Sequence, residues 1–112
     1  MKKVLLDENL PVPLADDFSE AFDTHTVRSM EWMNKKNGEL LAAMEEEGFD
    51  MLLTVDKNIP YQQNTDKLNV KIVILRTYDN RYKTLKAHIP TIEDAINESP
   101  DEEKILEVDL RD

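Results

Sequence analysis

The chain is predicted to be an α/β domain built on a mainly parallel sheet. Three observations predict it. Short apolar runs at residues 4–6, 49–55 and 70–75 end in polar or turn residues, as buried strands do. Segments of helical character alternate with them, which implies βαβ crossovers. The length, 112 residues, suits one core and not two, so residues 1–112 are expected to form one domain.

Taken in order, residues 3–6 read as a short strand. Residues 10–22 read as a helix, with Asn9 as its cap and Pro11 or Pro13 in its first turn. Leu10, Leu14, Phe18 and Phe22 recur every four residues and mark its apolar face. Residues 23–28 alternate and contain Thr and Val, which predicts a second strand. Residues 29–38 have no period and read as a loop, with Trp32 expected to anchor it, the alternative being stacking on a base. Residues 39–47 are strong helix formers, with Asn37 as a cap and Gly48 as a stop. A buried strand follows at 49–55. Residues 59–64 cannot continue it, because Pro60 breaks the ladder and the rest is largely polar. Residues 70–75 have the highest strand propensity in the chain. Helices are expected at 81–88 and 90–98. Residues 99–112 form an acidic C-terminal strand or tail, in which Leu106, Val108 and Leu110 alternate inward.

The totals exclude several classes. Hydrophobic residues make up 40% and charged residues 34%, the balance of an ordinary globular protein. With no cysteine there is neither a disulfide framework nor a thiolate metal site. The longest apolar runs are too short to span a bilayer, so no membrane partner is expected. Lys2 and Lys3 precede only a three-residue apolar run, which is not a signal peptide, and a cytoplasmic location is expected. The net charge of −10 argues against non-specific binding to nucleic acid. The charge is uneven, however. Residues 76–86 hold Arg76, Arg81, Lys83 and Lys86 against Asp79 alone, a pattern that fits either a solvated surface or a basic patch.

The residues able to do chemistry lie at strand ends. Asp7 directly follows Leu6, at the sheet edge where α/β folds place ligands. With Glu8, it can equally favour the start of the next helix through its dipole. Asp56 lies just past another apolar strand, with Thr54 and Asn58 two residues to either side. Hydroxyl, carboxylate and amide oxygens are the hard donors that Mg²⁺ and Mn²⁺ prefer. The same residues also make an ordinary Asp-Lys-Asn turn. Glu39 opens its helix and can either serve the helix dipole or join Asp7 and Asp56 as a third acid. His25 and His88 share no metal-ligand spacing, no Ser-His-Asp triad is present, and the methionines read as core or loop filler.

Three segments carry a resemblance. Leu5-Leu6-Asp7-Glu8-Asn9-Leu10-Pro11, Asn37-Gly38-Glu39-Leu40-Leu41-Ala42 and Leu53-Thr54-Val55-Asp56-Lys57-Asn58 resemble, in order and spacing, the short PIN-like domains related to VapC-type toxin nucleases. The resemblance covers roughly residues 3–75. It implies a central, mainly parallel sheet and RNA hydrolysis by water activated by Mg²⁺ or Mn²⁺. Carried over, Asp7, Glu39 and Asp56 are catalytic metal ligands and Asn58 a further ligand, with Glu8, Asn9 and Thr54 orienting them. Arg76, Arg81, Lys83 and Lys86 are the expected RNA contacts. The candidate partners are RNA, an antitoxin or another protein, and a second copy of the chain. The chain departs from the pattern in having Glu39 for the commoner Asp, a neutral Asn58, and no room for the inserted helical region that carries another acid.

Two other readings compete. A catalytically inactive module can keep this fold and bind a protein through its acidic tail. Asp56-Lys57-Asn58-Ile59-Pro60, with the early acid pair and Thr77, also resembles the phospho-acceptor turn of receiver domains. A receiver needs a lysine after a fifth strand. Lys86 is followed by Ala87, and no apolar strand precedes it.

Overall fold

The computed structural model describes residues 1–59 and 69–111. The expected break after the third strand, at Pro60 to Asn64, lies outside the described residues. The strands are β1 (Lys2–Leu6), β2 (Phe22–Thr26), β3 (Met51–Thr54), β4 (Lys71–Arg76) and β5 (Ile105–Asp109). They form one sheet in the order β2-β1-β3-β4-β5, with every pairing parallel. The helices are α1 (Asn37–Glu46), α2 (Tyr82–Ala87) and α3 (Ile89–Glu98), with a 3-10 helix at Val12–Asp17.

A parallel sheet must be covered on both faces. Alternation along the strands divides the core accordingly. Val4, Leu6, Leu53 and Val73 point to one face, where they meet Leu14 of the 3-10 helix and Ile92 and Ile96 of α3. Leu5, Leu52, Ile72 and Ile74 point to the other, against Leu40, Leu41 and Met44 of α1. Trp32 anchors its loop as expected, its ring 5.8 Å from that of Phe49. Gly48 ends the α1 region at φ +79°, a conformation that favours glycine.

Two expectations need correction. Residues 10–22 do not form a helix: only Val12–Asp17 is helical, as a 3-10 turn, and Phe18 is extended. Pro11 and Pro13 suit the first turn of a helix of either type, and the turn stops at Phe18, whose backbone is extended at φ −72° and ψ 149°. The apolar spacing was still a burial signal. Leu10, Leu14 and Phe22 are buried in one cluster and Phe18 packs against it. Asn37 is likewise not the cap of α1; Lys36 holds that position and Asn37 is the first helical residue.

The short first connection has a topological consequence. The β1-to-β2 and β4-to-β5 connections run in opposite directions across the sheet, yet both lie on the same face. They therefore have opposite hands. The β2-to-β3 connection, through α1 on the other face, shares the hand of the first. About 98% of such connections are right-handed, so a fold with two hands among its connections is uncommon. A six-residue 3-10 helix cannot cover a five-stranded face, and α2 and α3 supply the missing cover. The two parts are tied: the Tyr82 hydroxyl donates to Asp17 Oδ2 at 2.7 Å, which raises the Tyr82 pKa. Asn80 Nδ2 donates to the Asn9 carbonyl at 2.7 Å, joining the loops that follow β4 and β1. Among the described residues, no helix is long and apolar enough to cross a membrane.

Candidate functional site

Strand order reverses between β1 and β3, the topological switch point at which open α/β sheets leave a crevice beyond their carboxyl ends. Asp7 follows β1 and Asp56 lies two residues beyond β3, so both acids stand at this crevice. The local ladder sets their positions. Asp7 N–H donates to the Leu53 carbonyl at 2.9 Å, which extends the β1–β3 pairing by one residue.

Thr54 joins the two acids. It is fully buried, and its hydroxyl donates to Asp7 Oδ2 at 2.8 Å. The Thr54 hydroxyl oxygen in turn accepts the Asp56 N–H at 3.0 Å. Asp7 is 9% exposed, and its other oxygen accepts the Glu8 N–H at 2.9 Å. Asp56 Oδ1 accepts the Asn58 N–H at 2.9 Å, so the Asp-Lys-Asn segment is indeed a turn. Asn9 Oδ1 is buried in the loop after β1 with no hydrogen-bond partner among the described residues.

This donor set fits a hard divalent cation. Each Asp7 oxygen accepts one hydrogen bond and retains another lone pair, and Asp56 Oδ2 accepts no bond from the described residues. Mg²⁺ needs only one or two carboxylates, because it keeps several waters and takes the rest from substrate phosphate. No group of three His, Asp or Glu side chains suited to a metal occurs among the described residues. Glu39 is exposed in the first turn of α1, where it suits the helix dipole.

The surrounding charge is mixed. A small cleft of about 50 Å³ is lined by Asp7, Glu8, Thr26 and Arg28 among others. Arg28 was missed in the sequence; its only signal is a cation two residues past a strand end. Arg76, the last residue of β4, is paired with Glu107 of β5 at 3.4 Å. The acidic C-terminal strand thus covers part of the basic stretch. Lys86 lies 4.0 Å from Asp17, while Arg81 and Lys83 are exposed. His25 stacks edge-on against Phe49 at 5.5 Å, and His88 joins α2 to α3.

The fifth strand, Ile105–Asp109, is followed by Arg111 rather than by the lysine that a receiver requires. Thr77 Oγ1 turns into its own loop and donates to the Asp79 carbonyl at 2.8 Å. Arg111 is committed to Asp109, with Nε and Nη2 at 3.0 and 3.1 Å from its carboxylate. Side-chain and backbone hydrogen bonds from Arg111 hold Asp109 down at about 2. A depressed folded value means that the contribution to stability is complete above the ordinary value, 3.8, and is lost as pH falls through about 2. In Arg111→Gln the Asp109 carboxyl is expected to titrate closer to 3.8, as followed by NMR.

Comparison with family models, with curated proteins and with solved structures returned no match.

Proposed function

We propose that the chain is a Mg²⁺- or Mn²⁺-dependent ribonuclease of the PIN-like type, acting as the toxin of a toxin–antitoxin pair. The observation that supports this most is the linkage of Asp7 to Asp56 through the Thr54 hydroxyl at the β1/β3 switch point. Asp7 and Asp56 would hold the cation, with Asn58 beside them. The cation, when bound, supplies charge stabilisation and a more acidic water for phosphodiester hydrolysis. Thr54 fixes the Asp7 carboxylate and the backbone of Asp56, so the two acids keep their relative places without substrate. Arg28, which lines the cleft beside Asp7, and the exposed Arg81 and Lys83 would meet the phosphate backbone.

Cleavage of a mixed single-stranded RNA in Mn²⁺ tests the reading. The purified chain should cleave, EDTA should stop it, and Asp56→Asn should lower the rate by at least about a hundredfold. Asp56→Asn should fold normally, because an amide oxygen can still accept the Asn58 N–H. Inactivity of the well-folded chain with both metals and several RNAs would reject the proposal. One observation favours a second reading, a non-catalytic protein-interaction module: no third acid joins the pair among the described residues. Inactivity combined with an absence of Mn²⁺ binding would select it.

A further inference from the structure

At the opposite edge of the sheet, where the strands begin, lies a cavity of about 310 Å³. Lys2, Lys71 and Lys104 line it, together with Asp50 and Asp101. Three ammonium groups in one cavity are unexpected on a chain of net charge −10.

Lys71 opens β4 and is only 8% exposed. Its Nζ donates to Ser99 Oγ at 2.6 Å and to the Pro100 carbonyl at 2.9 Å. Both acceptors are neutral, and an ammonium has a third donor to place. Lys2 Nζ likewise reaches neutral oxygens, Asn97 Oδ1 at 3.2 Å and the Ile96 carbonyl at 3.4 Å. Lys104 Nζ has no partner among the described residues. None of the three is ion-paired among the described residues. A buried ammonium without a counter-charge is costly, and an anion that enters the cavity relieves that cost.

We propose that this cavity binds a small phosphate monoester bearing hydroxyl groups, a sugar phosphate or a mononucleotide. The phosphate sits among Lys2, Lys71 and Lys104. Near pH 7 it is close to a dianion, so it can meet more than one ammonium. The carboxylates of Asp50 and Asp101 accept hydrogen bonds from the hydroxyls. Asp50 has the capacity, since one of its oxygens accepts only the Lys3 N–H at 2.8 Å. The same two carboxylates disfavour polyphosphates, whose added charge they would repel. The volume lies at the lower end of the ~300–1,000 Å³ range of small-molecule sites. The simpler alternative is that the lysines only offset Glu98, Glu102 and Glu103 in the neighbouring turn, and it predicts no saturable binding. The inference is independent of RNA cleavage, which is assigned to the other edge.

NMR titration of the ¹⁵N-labelled full chain separates the two. Ribose 5-phosphate and AMP should give saturable shifts at Lys2, Asp50, Lys71 and Lys104. Inorganic phosphate should bind there at least about tenfold more weakly, and ribose not at all. ATP should bind more weakly than AMP. Lys104→Gln, at a half-buried position that leaves the core intact, should weaken ribose 5-phosphate by about tenfold or more. Lys71→Met should abolish binding while leaving the ligand-free melting temperature unchanged or higher. Absence of saturable shifts up to about 10 mM ligand would overturn the proposal. Unchanged affinity in Lys104→Gln would overturn it too, as would ribose binding as tightly as its phosphate. Equal affinity for inorganic phosphate and ribose 5-phosphate would overturn the assignment of Asp50 and Asp101.

Discussion

Asp7→Asn is expected to lower Mn²⁺-dependent RNA cleavage by at least about a hundredfold and, unlike Asp56→Asn, to destabilise the fold as well. The difference comes from what each carboxylate accepts. Asp7 takes a hydrogen bond on each oxygen, from the Thr54 hydroxyl and from the Glu8 N–H. An asparagine has only one oxygen, so one of those donors would face an NH₂ group. Thr54 can turn its hydroxyl to accept from that amide, but its own proton then needs another partner in a fully buried position. A donor left unsatisfied there costs about 1–3 kcal/mol. Urea unfolding measured beside the cleavage assay separates the two effects. Thr54→Ser should retain both activity and stability, because serine keeps the bridging oxygen. Thr54→Val should lose the links to Asp7 and Asp56 together. Full activity in Thr54→Val would show that the bridge has no part in the chemistry.

That bridge also shows what a sequence can and cannot disclose. The apolar runs before Asp7 and Asp56 place both acids at strand ends, because a buried strand must stop where charge begins. Their adjacency depends on β1 pairing with β3, and nothing in either segment states its neighbour. Thr54 was visible only as an oxygen on the same side as Asp56; its reach to Asp7 spans 47 residues of sequence. Residues 10–22 failed in a different way. A four-residue apolar period reports which side chains are buried, and a short 3-10 turn followed by extended chain at Phe18 buries them without an α-helix. The alternation at Leu106, Val108 and Leu110 did locate an inward strand face, since half-burial at a sheet edge leaves a period of two. Lys71 shows the limit from the other side. It lies in the run with the highest strand propensity, and nothing in that run states that the turn at Ser99 and Pro100 folds over it.

Leu53→Ala is expected to give the largest loss of stability from a single truncation beside the candidate site, about 2–5 kcal/mol. Leu53 is fully buried on β3, between β1 and β4. Its side chain faces the layer formed by the 3-10 helix, α2 and α3, so removal leaves a cavity where three elements meet the sheet. None of these can move in easily. The 3-10 helix is held to α2 by the Tyr82–Asp17 bond, and the β1 loop to the β4 loop by the Asn80–Asn9 bond. Domains of this size have about 5–15 kcal/mol in total, so the melting temperature should fall by on the order of 10 °C or more. Leu53→Met, which nearly conserves volume, should cost less than about 1.5 kcal/mol. The Leu53 carbonyl that fixes Asp7 belongs to the backbone and survives both substitutions. Leu53→Ala should therefore keep its Mn²⁺ affinity at temperatures where it remains folded, while Asp7→Asn should lose that affinity at every temperature. Loss of metal binding in folded Leu53→Ala would mean that the acids are held in place by the packing beneath them as well as by the Thr54 bridge.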